Sequence, residues 1–460
     1  MIGPAGATAG RVAVVGGGLA GLTAALACAD AGHDVVLLEA KPRLGGLTCS
    51  YRHNDLLVDN GQHVFLRCCT RYRALLDRLG VASLVTLQPR LDIPVLEPGR
   101  PRARIRRTGL PAPLHLARSL ACYQPLTVRQ RLMAVRAALA LRAVDPGDPA
   151  SDNRAFGDWL AAHGQDARSV AALWDLIGLA TLNSLAEHAS LGLAATVFRL
   201  GLLTDTAAGD IGWSRVPLER LHAAPAASAL AAAGALVRTR ARVEQLESVD
   251  TQWHVRLREG EHEQVDAVIL AVPPAAAERL LPAGAVALGA GWSARLGAVP
   301  IVNVHVVYDR RVLDEPFVAA LGSPVQWAFD RTAQVGLGEG QCVAVSLSGA
   351  DDLIALPSER LRALVEPALA ELLPRARGAV VREAFVTRER AATFRPRPGS
   401  AALRPAAVTA LPGLVLAGAW TDTGWPATME GAVRSGETAA AAIYRAATAP
   451  VSQAAVGALA

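Results

Sequence analysis

Three glycines and one acidic residue near the start of the chain have the types and spacing that bind a dinucleotide. Gly16, Gly18 and Gly21 fit the pattern G-x-G-x-x-G, and Glu39 follows them in the chain. Glycines permit a tight turn and a close approach of the backbone to a pyrophosphate, and a carboxylate accepts hydrogen bonds from an adenosine ribose. The pattern therefore predicts a dinucleotide site.

The segments around these residues predict the elements that would position them. Residues 12–15 form a short apolar run typical of a buried parallel strand, and residues 22–31, rich in alanine and leucine, predict the helix that follows. Residues 33–39 predict a second strand that ends at Glu39. The alternative is a glycine-rich turn that only packs a helix on a strand. The second strand and its terminal acid favour the dinucleotide.

A second glycine-rich turn indicates which dinucleotide is bound. Arg43, Gly45 and Gly46 come shortly after Glu39. Paired glycines can wrap a second backbone turn over the pyrophosphate, and the arginine would counter the phosphate charge. Folds that bind NAD do not need this extension, so the sequence favours FAD. The alternative for Arg43 is a solvated surface side chain.

Two later segments could reach the flavin. Residues 59–63, Asp-Asn-Gly-Gln-His, predict a polar turn beside the ring, although a histidine such as His63 is more often structural. Residues 414–418 predict another buried strand, followed by a polar loop at 419–426 and a helix that opens at 428–431. The N-terminus of that helix could stabilise the anionic reduced flavin. The alternative is an ordinary amphipathic helix, which does not explain the polar loop before it.

Size and composition narrow the class of protein. The chain has 460 residues, of which 52% are hydrophobic and 19% charged, so we expect two domains. The net charge is +5, but Lys41 is the sole lysine. Positive charge carried by arginine in an alanine-rich chain points to genomic composition and not to nucleic-acid binding. None of the six cysteines has C-x-x-C spacing, which predicts reduced thiols, no metal site and a cytoplasmic protein.

Several of these motifs resemble those of a known enzyme superfamily. The turn Arg43-x-Gly45-Gly46 and residues 430–436, Glu-Gly-Ala-x-x-Ser-Gly, are similar to the amine oxidase/phytoene desaturase flavoproteins. Within that superfamily, the polar turn 59–63 resembles the hydroxysqualene dehydroxylases, which are also called squalene-associated FAD-dependent desaturases.

The narrower resemblance extends to residues 182–184, Leu-Asn-Ser, and to residues 425–431, Trp-Pro-Ala-Thr-Met-Glu-Gly. One position departs from the pattern. Desaturases of this superfamily usually carry Gly-Asp after the last strand, where the aspartate meets the flavin, whereas this chain has Gly418-Ala419. Asp422 or a water molecule could replace that acid.

The resemblance implies an α/β fold, with a Rossmann-like FAD-binding domain of glutathione-reductase type and a discontinuous α+β substrate domain. We expect residues 1–95, 225–290 and 400–450 to form the FAD-binding domain. Residues 96–224 and 291–399 would form the substrate-binding domain, with a tail at 451–460. The residues expected to bind FAD are Gly16, Gly18, Leu19, Ala20, Gly21, Glu39, Ala40, Arg43, Gly45, Gly46, Leu47, Gly61, Gln62, His63, Val243, Gly418, Glu430, Gly431 and Ala432.

The resemblance also implies a reaction, in which reduced FAD delivers a hydride to hydroxysqualene and the hydroxyl leaves as water, giving squalene for hopanoid synthesis. A general acid could protonate that hydroxyl. The candidates are Asp210, Asp422 and His63, with Glu430 as a further acid near the flavin edge; any of the carboxylates could instead be a cap or a salt-bridge partner. The alternatives are a carotenoid-type desaturase, another amine-oxidase-like flavoenzyme, or a flavin-binding protein without turnover.

The expected partner is a hydrophobic isoprenoid, and no residue indicates the electron donor. Arg102, Arg104 and Arg106 alternate along residues 100–107 and would share one face of a strand. Further arginines follow at Arg118, Arg129, Arg131, Arg136 and Arg142. They are either ordinary solvated side chains or a peripheral contact with anionic lipid on the inner face of the cell membrane. No helix in this region has a cleanly amphipathic sequence.

Overall fold

The computed structural model describes residues 10–448, and a five-stranded parallel sheet lies at its centre. Across the sheet, the strands are Leu236–Thr239, Asp34–Glu39, Arg11–Val15, Ala267–Leu270 and Leu414–Leu416. Every neighbouring pair is parallel. The predicted α/β fold is confirmed, and segments from the beginning, middle and end of the chain share one sheet.

Both faces of this sheet are covered because its strands are apolar on both sides. Val14, Leu37 and Ile269 belong to the face that packs against helices Leu19–Asp30 and Met429–Thr448. The opposite face packs against a three-stranded antiparallel sheet. The strands of that sheet are Val243–Val249, Gln252–Leu257 and His262–Val265.

A second large sheet has seven strands. In order, they are Val381–Phe394, Ala298–Tyr308, Gln341–Leu347, Trp327–Asp330, Phe317–Ala320, Asp92–Leu96 and Ala103–Arg106. Two small antiparallel sheets complete the set. Ser50–His53 pairs with Leu56–Asp59, and Ile211–Ser214 lies between Val64–Leu66 and Val85–Leu87.

Helices cover these sheets. The α-helices are Leu19–Asp30, Thr70–Arg78, Ala117–Ala121, Val128–Leu141, Pro149–Asp152, Phe156–Ala162, Ala167–Ser169, Asp175–Leu182, Leu191–Phe198, Ala224–Ala232, Pro274–Leu280, Trp292–Leu296, Thr332–Val335, Ser358–Leu372 and Met429–Thr448. Single turns of π-helix lie at Val170–Trp174, Arg199–Leu203 and Glu219–Ala223. Within residues 10–448, none of the helices combines the length and apolar character needed to cross a bilayer.

The three arginines expected on one face of a strand do share a face, but they are not free. Arg104 and Arg106 pair with Asp92 on the neighbouring strand. Arg102 and Arg104 also contact Glu315. These two carboxylates pair with all three arginines within the protein, so most of the positive charge on this strand is balanced.

Two further predictions concern the domain boundaries and the C-terminal tail. The division into an FAD-binding and a substrate-binding domain at the stated boundaries stays a prediction. The tail at 451–460 lies outside the described residues.

The first and last helices of the described chain pack unusually closely. A Cβ atom added at Gly436 would lie 2.3 Å from the carbonyl oxygen of Ala20 and 2.9 Å from the Cβ of Thr23. Only glycine at position 436 therefore permits this approach. The contact fixes the helix that begins at Met429 against the helix that follows the first strand.

We expect Gly436→Ala to destabilise the protein by about 2 kcal/mol, because its methyl group would overlap backbone of the facing helix. In an open helical position the same change normally stabilises by up to about 1 kcal/mol. Gly178→Ala is the matched control, since its Cβ would meet only a ring atom of Phe198 at 4.0 Å. Thermal unfolding of both variants checks this; equal melting temperatures would contradict the packing argument.

Candidate functional site

Two glycine turns cross and leave no room for side chains between them. The N–H of Gly45 donates to the carbonyl of Gly17 at 2.8 Å. A Cβ at Gly46 would lie 2.8 Å from the Cα of Gly18, and Gly46 has a φ of +57°, which glycine adopts without strain. The crossing is a cradle lined by backbone, as a pyrophosphate requires.

The first turn is closed from behind as well. A Cβ at Gly21 would lie 1.9 Å from the carbonyl oxygen of Gly16. Gly16 itself has a φ of +109°, and a Cβ there would lie 2.3 Å from the carbonyl oxygen of Ala271. Gly16 and Gly21 therefore each have a steric reason, and helix Leu19–Asp30 begins directly at the cradle, with Leu19 and Ala20 in its first turn.

The acid at the end of the second strand is held by two backbone amides. Glu39 Oε2 accepts a hydrogen bond from the N–H of Gly17 at 2.7 Å, and Oε1 accepts one from the N–H of Lys41 at 2.7 Å. Each oxygen keeps a further lone pair for a ribose hydroxyl. The carbonyl of Glu39 also accepts a hydrogen bond from Ala241, two residues before Val243, which brings that predicted adenine contact next to the acid.

Other predicted cofactor residues lie around the cradle. Ala40 directly follows Glu39, whereas Leu47 directly follows the second turn and is 44% exposed. Arg43 is exposed, and its Nη2 lies 3.5 Å from the Sγ of Cys49. Its pairing with phosphate stays a prediction.

A buried ion pair fixes the polar turn at 59–63. Asp59 and Arg331 lie 2.6 Å apart, and both side chains are about 5% exposed or less. Asp59 also accepts hydrogen bonds from Ser50 Oγ at 2.7 Å and from the N–H of Leu218 at 2.9 Å. Sequence analysis missed Arg331 because 272 residues separate the partners.

The side chain of Gln62 lacks partners. Neither its Oε1 nor its Nε2 has a hydrogen bond within the described part of the chain, although both atoms are buried. An unpaired buried amide is costly, and a bound group with donors and acceptors would remove that cost. The glycine cradle and the unpaired side-chain amide of Gln62 both fit a bound FAD molecule.

His63 does not have the properties of a proton donor. Desolvation lowers its pKa, and the nearby charge of Arg331 adds to that lowering. Its Nδ1 lies 3.1 Å from the carbonyl oxygen of Gly61, which only accepts, so Nδ1 carries the proton of the neutral ring. Nε2 is then an acceptor. The general-acid hypothesis for His63 is therefore disfavoured, whereas contact with the cofactor stays a prediction.

A buried arginine organises the loop after the last strand. The Nη2 of Arg404 donates to the carbonyl of Thr421 at 2.6 Å and to that of Trp425 at 2.8 Å. Burial lowers its pKa to about 10, so the guanidinium stays charged at neutral pH. Gly418 is fixed separately, since its N–H donates to Ser435 Oγ at 2.8 Å. Sequence analysis missed Arg404 because its partners are carbonyls, which leave no pattern of side chains.

The side chain of Glu430 points away from the predicted flavin edge. Its carboxylate accepts hydrogen bonds from the N–H groups of Arg71 at 3.2 Å and Tyr72 at 2.7 Å, at the N-terminus of helix Thr70–Arg78. It also pairs with Arg434 at 2.7 Å. The carboxylate is a cap, which contradicts its interpretation as a catalytic acid.

The amides at the start of the last helix are partly engaged. The N–H of Gly431 donates to Thr428 Oγ1 at 3.1 Å, and that of Ala432 donates to the carbonyl of Thr428 at 3.0 Å. The predicted contacts of Glu430, Gly431 and Ala432 with the cofactor stay predictions. Such contacts are limited to the backbone atoms that these hydrogen bonds leave available.

Asp210 belongs to a buried ionic network and is not an acid positioned to donate a proton. Arg107 and Arg67 both donate to its carboxylate, Arg67 at 2.9 Å, and the N–H of Leu91 donates at 2.6 Å. Burial opposes ionisation, but the hydrogen bonds from Arg107 and Arg67 prevail and lower the pKa of Asp210. A general acid needs the opposite shift. The structure therefore argues against the catalytic hypothesis for Asp210.

Asp422 is the remaining candidate. Its backbone N–H donates to the carbonyl of Pro405 at 2.9 Å, and its side chain is exposed. Among residues 10–448, no hydrogen bond to its carboxylate is found. Asp422 is thus the one candidate acid whose carboxylate is not already committed to a structural contact.

An apolar cavity of about 200 Å³ lies between helices beside Ala103–Arg106, an edge strand of the seven-stranded sheet. Its walls are almost wholly aliphatic and aromatic. They include Leu114, Val135, Leu139, Ile177 and Leu202. This composition suits a hydrocarbon ligand.

Hydrophobic packing connects this cavity with the polar turn. Ile177 and Leu202 of the cavity wall belong to the same cluster as Trp213 and Phe317. Trp213 lies opposite Val64, the residue after His63, on the adjacent antiparallel strand. Packed apolar side chains therefore connect the wall of the cavity with the strand that follows the turn carrying Gln62 and His63.

Comparison with protein families gives a match to the model described as flavin containing amine oxidoreductase, over residues 19–444. The hydroxysqualene dehydroxylase of Rhodopseudomonas palustris is 30% identical over 441 residues, which cover 93% of this chain and 97% of that protein. The "Probable zeta-carotene desaturase" of Synechococcus elongatus is 26% identical, over 95% of this chain and 99% of its own.

A solved structure shows the same fold. The cyclohexylamine oxidase of Brevibacterium oxydans superposes with a TM-score of 0.69 at 19% sequence identity. The match covers 94% of this chain and 98% of that one.

We expect Gly46→Ala to lower FAD affinity at least tenfold, because the added methyl would push the two turns apart. Gly80→Ala is the matched control. Gly80 has a φ of +71°, close to that of Gly46, but a Cβ there meets nothing within 4 Å. Both variants carry the same backbone strain, so titration of the apoprotein with FAD isolates the effect on the cradle. Equal affinities would show that the crossing does not bind the cofactor.

We expect Asp210→Asn to destabilise the protein by about 3 kcal/mol at pH 7, since it leaves two arginines without their buried partner. The native pKa is lowered, so the stabilisation is present above about pH 4 and is lost as the pH falls through the native pKa. The deficit should therefore shrink in acid. Denaturant titrations at pH 7 and pH 3 check this, with the exposed Asp55→Asn as control. Lost turnover per bound flavin at unchanged stability would instead revive the catalytic role.

Proposed function

Because the chain belongs to the flavin-containing amine oxidoreductase family and uses FAD, we propose that it is the oxidoreductase that converts hydroxysqualene to squalene. The observation that carries the proposal is the apolar cavity, whose wall is joined by packed apolar side chains to the strand that follows the turn at 59–63. Such a cavity suits the chain of a long hydrocarbon, whose one polar carbon would lie at the flavin.

The relatives support a long isoprenoid substrate. The first is named for hydroxysqualene and the second for zeta-carotene, and both align with more than 90% of this chain. Hydroxysqualene dehydroxylase is favoured by the higher identity and by the motifs at 182–184 and 425–431. An amine substrate is disfavoured, because amine oxidases of this superfamily usually place a lysine at the flavin and Lys41 lies beside Glu39.

The reaction replaces a hydroxyl group by hydrogen. The carbon–oxygen bond breaks, the oxygen leaves as water after taking up a proton, and two electrons reach the carbon as a hydride. FAD in its reduced form supplies that hydride. The protein's part is to hold the carbon in place and to exclude water from the developing cation, which the aliphatic wall and Trp213 would do.

A carotenoid-type desaturase is the second candidate, favoured by the similarity to zeta-carotene desaturase. It would use the same apolar cavity but transfer the hydride from substrate to flavin. The direction of electron flow therefore separates the two functions.

The test is an anaerobic single-turnover assay with purified holoenzyme. Dithionite reduces the bound flavin, excess reductant is removed, and hydroxysqualene is added. We expect one squalene per flavin, with the return of the oxidised flavin spectrum. No squalene, together with flavin reduction by phytoene or dehydrosqualene, would establish the desaturase instead. A protein that neither binds FAD nor reacts with any of these substrates would overturn both.

We expect Asp422→Asn to slow the same turnover about 100-fold, if its carboxylate protonates the leaving hydroxyl, while FAD binding and melting temperature stay unchanged. Asp352→Asn, at another exposed aspartate, is the control. Unchanged turnover would remove Asp422 from the mechanism without affecting the assignment of the reaction.

A further inference from the structure

Helix Val128–Leu141 exposes a row of large apolar side chains. Val128, Leu132, Val135 and Leu139 are 69%, 59%, 42% and 50% exposed. Their spacing of four, three and four residues places them on one face of the helix. We call these four residues the apolar stripe. Contiguous exposed apolar surface of this kind marks an interaction site.

The fold does not require this stripe. Ala134, Ala137 and Leu141 pack the opposite face of the helix into the protein and are 1% exposed or less. The helix is thus apolar on two faces, which is why its sequence shows no clean amphipathic pattern. The buried face accounts for folding, and the stripe needs another explanation.

The stripe lies at the mouth of the apolar cavity. Val135 and Leu139 belong both to the stripe and to the cavity wall. Leu114, which is 58% exposed, also belongs to that wall. A molecule that leaves the cavity past these residues meets exposed hydrocarbon before it meets water.

Exposed arginines flank the stripe. Arg136 lies on the same helix and Arg142 lies at its C-terminal end. Arg118 lies on the neighbouring helix Ala117–Ala121. Within the described chain, no ion pair or side-chain hydrogen bond involves these three. Arg129 is also exposed, but it lies near the carboxylate of Asp166. The arginines at 102, 104 and 106, by contrast, are paired with the carboxylates of Asp92 and Glu315.

We propose that the apolar stripe and its flanking arginines dock the protein on an anionic lipid bilayer, so that the cavity opens directly into the hydrocarbon. Apolar side chains with cationic neighbours are the composition that binds the interface of such a bilayer. The ligand then passes between membrane and cavity without crossing water.

Charge and geometry favour a bilayer over a second copy of the chain. A symmetric dimer through this face would bring Arg136 and Arg142 towards their own counterparts, and like charges repel. A protein that covered the stripe would also close the cavity mouth. A bilayer pairs the arginines with phosphate and leaves the mouth open to hydrocarbon.

The first test is flotation of the full-length holoenzyme with vesicles of phosphatidylcholine containing 30% phosphatidylglycerol. We expect Val128→Asn/Leu132→Asn to bind at least tenfold more weakly than the wild type. Neither residue lines the cavity, so turnover of detergent-dispersed substrate should not change. Val380→Asn/Val408→Asn is the matched control, since those valines are 59% and 62% exposed elsewhere.

The second test addresses the charges. Arg136→Gln/Arg142→Gln should weaken binding to the anionic vesicles about 25-fold, since each arginine near such a surface contributes about fivefold. Added salt should weaken wild-type binding in the same direction. Arg360→Gln/Arg390→Gln, at exposed arginines elsewhere, should bind as the wild type does.

Several outcomes would overturn the proposal. These are no vesicle binding by the wild type, equal binding by the Val128→Asn/Leu132→Asn variant, or equal binding to pure phosphatidylcholine with silent arginine variants. A dimer in sedimentation analysis that Val128→Asn/Leu132→Asn dissociates would assign the stripe to a second copy instead. Binding is measured without substrate, so these outcomes are independent of the proposed reaction.

Discussion

The crossing of two glycine turns is the constraint on which the cofactor site depends. Gly18 and Gly46 approach so closely that a Cβ atom at position 46 would lie 2.8 Å from the Cα of Gly18. The same crossing ties the first strand–helix unit to the segment after Glu39 through the hydrogen bond from Gly45 to Gly17. The later segments that are predicted to reach the flavin, including the polar turn at 59–63, follow this crossing in the chain.

Buried charges hold the surrounding segments in place. The pair of Asp59 with Arg331 and the pairs of Asp210 with Arg67 and Arg107 join elements that lie far apart in the chain. Glu430 caps helix Thr70–Arg78 and pairs with Arg434 on its own helix. Arg404 does the same for the loop at 419–425 through carbonyl groups. A buried charge that loses its partner is costly, so these contacts specify one arrangement more than they add net stability.

Local chemistry was predictable from the sequence, and distant pairing was not. The glycines at 16, 18, 21, 45 and 46 have roles set by their own backbone, so their pattern is visible in a short window. The segment before Val243 does not continue as one strand: the chain turns at Arg240, which has a φ of +59°, and Val243 begins a strand of another sheet. The structural roles of Asp210 and Glu430 are not visible in the sequence, because the arginines that pair with Asp210 and the helix that Glu430 caps lie more than 100 residues away in the chain. A carboxylate alone carries no mark that distinguishes a proton donor from a cap.

The seating of Gly436 against Ala20 has a consequence for the order of synthesis. The ribosome makes the nucleotide turn within the first fifty residues, but the edge strand Leu414–Leu416 and the helix from Met429 emerge last. The sheet face that the helix from Met429 shares with helix Leu19–Asp30 is therefore only partly covered during most of translation. A chain terminated shortly before residue 414 would lack both the edge strand and the helix from Met429.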